Sequence, residues 1–125
     1  MRVLVVDDDP DLSLLMEIFL TRRGHEVLLA SDGRDGLDVL GREGVDLVVL
    51  DWMMPTLDGI AMTRAIRADP RVRHLPLLMV TARHDHGEAV AAGVDEVLGK
   101  PFTGTVLVAT VEDLGGRSLP TGASA

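Results

Sequence analysis

The chain contains no cysteine, which excludes disulfides, thiolate nucleophiles and cysteine-ligated zinc. Aromatic residues make up only 2% of it against 46% hydrophobic residues, so its core must be aliphatic. Long apolar runs are also missing. None approaches the roughly 20 residues needed to cross a bilayer, and no charged-then-apolar leader precedes the first apolar run. These absences lead us to expect a cytoplasmic domain without membrane contact. Positive charge is scarce as well: 12 Lys and Arg against 20 Asp and Glu give a net charge of −8. An acidic surface repels nucleic acid and anionic lipid, so direct nucleic-acid binding is not expected. Lysine itself is nearly absent, and Lys100 stands alone among arginines.

What is present is a strict alternation. A length of 125 residues suits one domain with an adequate core. Arg2 to Val6, Glu26 to Ala30, Leu47 to Leu50, Leu77 to Val80 and Asp95 to Leu98 read as strands. Three of these five show almost no polar alternation, as expected of parallel strands covered on both faces. Amphipathic segments lie between them. Pro10 fits the first helical position after Asp9, with Leu12, Leu15, Ile18 and Phe19 expected on one inward face and Gly24 as the stop. Asp32 is a cap for a second helix carrying Leu37 and Leu40 and ended by Gly41. Asp58 caps a third, with Met62, Ala65 and Ile66 inward and a stop before Pro70. Asp85 with Glu88 reads as a capping box for a short fourth helix that Gly93 ends. Thr103 caps a fifth, where Leu107, Val111 and Leu114 recur at helical spacing. Five strand–helix units predict an α/β fold: one doubly wound, five-stranded parallel sheet with right-handed crossovers and helices on both faces. Residues 1–114 form that domain, and the Gly-, Ser- and Pro-rich 115–125 reads as a flexible tail or the start of a linker.

Ligands of open α/β sheets bind at the carboxyl ends of the strands, where strand order reverses. The first strand delivers Asp7, Asp8 and Asp9 there, the third Asp51, the fourth Thr81 and the fifth Lys100. Like charges about 5 Å apart at an effective dielectric near 20 repel by roughly 3 kcal/mol per pair. Such a cluster calls for a cation or for raised pKa values. A hard, oxygen-preferring ion suits it, and Mg2+ is the obvious choice where phosphate is handled. Asp7 and Asp8 are the expected metal residues, whereas Asp9 and Asp11 read as helix-capping charges. Lys100 supplies a compact point charge of the kind used on phosphoryl oxygens beside a metal. His84 and His86 flank Asp85, but without a third strong ligand nearby they read as exposed helix-start residues.

Taken in order, VLVVDDDP, VVLDWMMPTLDG, VTA and GKPF resemble the four signature segments of response-regulator receiver domains of two-component signal transduction. The resemblance covers Arg2 to Leu114 and implies the flavodoxin-like strand order 2-1-3-4-5. It also implies roles. Asp51 would be the phosphoacceptor, attacking the phosphohistidine of a sensor histidine kinase or phosphotransfer protein, or a small phosphodonor. Asp8 and Asp51 would bind Mg2+ through side chains and Met53 through its carbonyl, with Asp7 supporting the ion through water. Lys100 would pair with Asp51 and then with a phosphoryl oxygen, across a cis Lys100–Pro101 bond. Thr81 would turn its hydroxyl to the phosphoryl group, and the small Ala82 would leave its N–H accessible. Met53 and Arg83 occupy positions that tune phosphoryl loss in the family. The implied protein is a signalling switch that catalyses its own phosphorylation and dephosphorylation, not a turnover enzyme.

Three features depart from that pattern. Val97 stands where an aromatic ring usually turns inward, so that form of switching cannot operate here as drawn. Thr81 and Lys100 are closer than is typical, so the fourth helix or its preceding loop must be short. The fifth helix is unusually apolar, which points to a partner, homodimer or output-domain face made by the fourth helix, fifth strand and fifth helix. Other classes fit less well. A haloacid-dehalogenase-type phosphatase wants an aspartate where Met53 stands, and a flavin module would find its phosphate repelled by Asp7–Asp9. The competing reading is a degenerate receiver that acts as a phosphorylation-independent interaction domain, which Val97 favours.

Overall fold

The computed structural model describes residues 1–118. Its strands are β1 (Arg2–Val6), β2 (Glu26–Ala30), β3 (Leu47–Asp51), β4 (Leu77–Thr81) and β5 (Glu96–Gly99). They alternate with α1 (Pro10–Arg22), α2 (Gly33–Arg42), α3 (Gly59–Ala68), α4 (Gly87–Ala92) and α5 (Gly104–Ser118). All strand pairs are parallel, and the sheet order is β2-β1-β3-β4-β5. The chain therefore reverses direction across the sheet between β1 and β3, and their carboxyl ends form the crevice. The edge strands β2 and β5 are only partly buried, whereas every residue of β3 and β4 is buried, as expected of strands with helices on both faces.

Pleating sends alternate strand residues to opposite faces. On one face Val3, Val5, Leu47, Val49, Leu78 and Val80 meet Met16 and Leu20 of α1 and Leu107, Val111 and Leu114 of α5. On the other, Leu4, Val6, Val48, Leu50, Leu77 and Met79 meet Val39 of α2, Met62 and Ile66 of α3 and Ala89 and Ala92 of α4. Side-chain caps start four of the helices. Asp9 accepts from Asp11 and Leu12, Asp32 from Asp35, Asp58 from Ala61, and Thr103 from Val106.

Several local expectations differ from the structure. The inward face of α1 is Ser13, Met16 and Leu20 with the expected Leu12 and Phe19 partly buried against the core beside them, while Leu15 and Ile18 are 44% and 37% exposed. Apolar residues surround nearly the whole helix, so spacing alone selects no face. Ser13 is turned inward with its hydroxyl donating to the Asp7 carbonyl at 3.4 Å. In α3, Thr63 rather than Ala65 joins Met62 and Ile66 in the fully buried set. The α2 helix passes through Gly41 and ends at Arg42. No capping box forms at α4: His86 precedes the helix without a side-chain cap bond, and Asp85 instead accepts from the Gly87 N–H at 3.0 Å. Gly93 does end α4, at φ +120, which glycine adopts without strain. The helix has six residues, which accounts for the short interval between Thr81 and Lys100. Helix α5 runs to Ser118, beyond Leu114, and the rest of the expected tail, 119–125, lies outside the described residues. Among the described residues no helix is long and apolar enough to cross a membrane.

Candidate functional site

Four of the five strands, β1, β3, β4 and β5, end by delivering polar side chains to the crevice. Asp51 and Thr81 are the last residues of β3 and β4, and Asp7 follows β1 directly. Asp7, Asp51 and Thr81 are 3%, 7% and 2% exposed, whereas Asp8 is exposed. Carboxylate oxygens of Asp7, Asp8 and Asp51 lie within 4.8 Å of one another. The predicted acidic residues are thus brought together. Lys100 reaches them from the end of β5, its Nζ 3.2 Å from Asp51 Oδ2 and 3.8 Å from Asp7 Oδ2. The Lys100 N–H donates to the Thr81 carbonyl at 2.8 Å, which ties the β5 end to the β4 end. The Lys100–Pro101 bond is cis, as the resemblance implied.

The bonding of these carboxylates is unequal. Asp51 Oδ1 accepts the Trp52 N–H at 2.8 Å. Asp7 Oδ1 accepts the Asp9 N–H at 2.9 Å. Asp7 Oδ2 is buried without a hydrogen-bond partner, the only side-chain atom of that kind among the described residues. At 3.8 Å, Lys100 gives it electrostatic company and no hydrogen bond. Burial raises the Asp7 pKa to about 6, against the lowering effect of the Asp9 N–H, with the Asp51 charge adding to the rise. Burial likewise raises Asp51, opposed chiefly by Lys100. A buried, under-bonded carboxylate beside two others is a donor set suited to a hard divalent cation, so the residues fit the magnesium expectation.

The remaining predicted residues surround this cluster. Thr81 Oγ1 accepts the Arg83 N–H at 3.0 Å. Ala82 is exposed between them. Met53 lies two residues beyond Asp51 with its side chain 64% exposed. A cleft of about 440 Å3, lined in part by Asp7, Asp8, Ser13 and Leu29, opens beside the acids. His84 is exposed, and His86 Nε2 lies 2.8 Å from the Arg83 carbonyl, so neither joins the acidic group. Val97 is half-buried against the core. Sequence reasoning missed Ser13, and it missed the stacking of Arg83 on Trp52, whose ring centroid lies 4.2 Å from the guanidinium carbon. The lone tryptophan beside Asp51 was a signal, but its partner comes from another strand end.

Comparison with known proteins decides the family. The model of the response regulator receiver domain family matches residues 3–112. The chain belongs to that family. Its fold is that of a receiver domain. The chain is 40% identical over 118 residues to the chemotaxis protein CheY of Pseudomonas aeruginosa, spanning 91% of this chain and 95% of that one. It is 42% identical over 122 residues to the response regulator MprA of Mycolicibacterium vanbaalenii, spanning 95% of this chain and 52% of that one. It thus covers about half the length of several curated relatives, MprA among them. Among solved structures, the receiver domain superposes on that of a Pseudomonas aeruginosa sensor histidine kinase with a TM-score of 0.85 and 30% identity, covering 92% and 97% of the two chains. That structure holds a magnesium ion coordinated in its active site cleft.

Proposed function

We propose that this receiver domain takes a phosphoryl group on Asp51 from the phosphohistidine of a sensor kinase or phosphotransfer protein. The observation that carries the reading is the Asp51–Lys100 pair, 3.2 Å apart, beside the orphaned Asp7 Oδ2. One carboxylate is paired with an ammonium that opposes the upward shift burial gives it, and its neighbours form a donor set suited to a cation. Asp8, Asp51 and the Met53 carbonyl would hold Mg2+, with Asp7 behind them. A bound ion there would neutralise phosphoryl oxygens and the crowded carboxylates together. An Asp51 oxygen attacks phosphorus in line, the new O–P bond forms, and the P–N bond to the donor imidazole breaks with its electrons left on nitrogen. Lys100 turns its ammonium from Asp51 to a phosphoryl oxygen. The Thr81 hydroxyl and the Ala82 N–H donate to others. Catalysis is largely positioning and charge neutralisation, and the same groups permit later hydrolysis of the acyl phosphate.

The test is labelling with acetyl phosphate and Mg2+, followed by intact mass measurement. The parent should gain one phosphoryl group and Asp51→Asn none, and chelation should abolish the gain. Equal labelling of Asp51→Asn would move the acceptor elsewhere. The aliphatic Val97 supports a second reading, an interaction domain indifferent to phosphorylation, and an unlabelled parent would favour it. For output, we infer that α4, β5 and α5 contact a second copy or an output domain, since Val90 and Val106 leave 63% and 45% of their surface exposed there. Light scattering behind size exclusion, with and without beryllofluoride, should show activated dimers that Val90→Arg loses. A monomer throughout would remove self-association from the proposal. The setting implied by these partners is the cytoplasm.

A further inference from the structure

Arg83 reaches in three directions. Its guanidinium lies over the Trp52 ring at 4.2 Å from the centroid. Its N–H donates to Thr81 Oγ1 at 3.0 Å. Its carbonyl meets His86 Nε2 at 2.8 Å, and His86 is the residue before α4. Trp52 is itself tied to the acceptor, because its N–H donates to Asp51 Oδ1. It is 3% exposed and belongs to the core cluster that contains Ala89 and Ala92 of α4, with Val97 packed against that cluster. One arginine thus spans the acceptor strand, the hydroxyl strand and the start of a helix.

We propose that Arg83 couples the state of Asp51 to α4, taking over the work that an inward-turning aromatic at position 97 would perform. The inference rests on the reading of Asp51 as phosphoacceptor and adds how the modification leaves the site. In the resting domain the guanidinium is held, among the described residues, only by the face of a ring, a weak contact at an exposed position. A phosphoryl dianion on Asp51 offers oxygens for charge-assisted hydrogen bonds, which are about twice as strong as neutral ones and suit the planar fork of arginine. The same event draws the Thr81 hydroxyl toward the phosphoryl group, and Thr81 Oγ1 is the acceptor of the Arg83 N–H. Both inner tethers of Arg83 therefore attach to groups that phosphorylation reorganises. The one on Thr81 is a backbone N–H that any non-proline residue here would supply, and the guanidinium on Trp52 is what the arginine adds. Its outer tether leads through His86 to α4, six residues long and without a side-chain cap. A helix start held otherwise by one local bond, from the Gly87 N–H to Asp85, follows its anchor. A shift of Arg83 is then a shift of the α4 amino terminus, and the aliphatic Val97 need not move.

The experiment compares the full chain with Arg83→Ala, both saturated with Mg2+ and beryllofluoride, with saturation monitored by fluorine resonance. Amide resonances of residues 87–92 and Trp52 emission are read in each. In the parent both should change on saturation. In Arg83→Ala at equal saturation, the α4 amide shifts should be smaller by at least about threefold, while Trp52, still bonded to Asp51 through its N–H, should keep only the part of its change that the acceptor imposes directly. Substitution of this exposed side chain should leave the fold intact, which the remaining resonances report. If α4 in Arg83→Ala moves as far as in the parent, the coupling role is overturned while the acceptor reading stands. If the parent itself takes up no beryllofluoride, the acceptor reading is what fails.

Discussion

At Gly59 an added methyl carbon would overlap the carbonyl oxygen of Asp51. The α3 helix begins so close to the acceptor that its first residue can carry no side chain, and the Gly59 N–H donates to the Trp52 carbonyl at 2.8 Å. Backbone, not a flexible side-chain end, is what the new atom would meet. Gly59→Ala should therefore cost about 1–3 kcal/mol in urea unfolding, and it should slow labelling of Asp51 by displacing the acceptor. Gly41 is the opposite case. It sits within α2, and a methyl group added there would meet nothing within 4 Å. Gly41→Ala should stabilise by about 0.4–1 kcal/mol and leave labelling unchanged. An equal response of the two variants would show that the contact at Asp51 is relieved by movement of α3.

Elements are held in register by Arg67 near the end of α3. Its Nε donates to the Gly93 carbonyl that follows α4, and its Nη1 to the carbonyls of Arg73 and Leu75 in the connection to β4. Its Nη2 meets Asp95 at 2.9 Å. Truncation would leave several carbonyls without a donor, part of them out of reach of water. Arg67→Ala should cost roughly 2–4 kcal/mol, and Arg67→Lys should recover only a minor part, because a point charge cannot serve acceptors set around a planar fork. Recovery of full stability by lysine would show that charge alone suffices. Nothing in the local sequence distinguishes Arg67 from the arginines around it, since its partners come from two other segments, the connections before β4 and before β5. The acids at the strand ends are legible for the converse reason. A buried apolar run that stops at Asp7, Asp51 or Thr81 declares both the strand and its active edge. The caps Asp9, Asp32, Asp58 and Thr103 are legible because capping is local. The inward face of α1 is not, since apolar residues all round it offer several equivalent stripes and only tertiary contact with Asp7 picks Ser13. The start of α4 misleads because Asp85 bonds the first helical residue, Gly87, only two positions on, and His86, which stands at the cap position, makes no side-chain cap bond.

For the molecule as a whole, the acidic crevice sets how stability follows pH. Folding raises the Asp7 pKa from 3.8 to about 6. Between those values the folded chain keeps a proton that the unfolded chain has lost, so this group's contribution declines as pH rises through the window and is lowest above it. The raised Asp51 acts in the same direction. Glu112 works oppositely. Hydrogen bonds from Arg23 and from His25 lower it from 4.5 to about 2, so its contribution is present above the unfolded value and fades as pH falls toward the folded one. Metal-free protein should then be most stable in mild acid, near the lower part of the Asp7 window, and less stable at neutrality despite its neutralised surface pairs. Magnesium should invert the slope. A cation binding the ionised cluster stabilises by about 2.7 kcal/mol at a hundredfold excess over its dissociation constant, and it binds poorly once Asp7 is protonated. Asp7→Asn separates the two effects: it removes the buried charge, and so should raise metal-free stability at neutral pH by up to about 3 kcal/mol while abolishing most of the magnesium increment. Thermal unfolding of both proteins across pH, with and without Mg2+, measures this directly. If the metal-free parent instead gains stability steadily from acid to neutrality, the strain at Asp7 is not what the crevice stores, and the cation is not what relieves it.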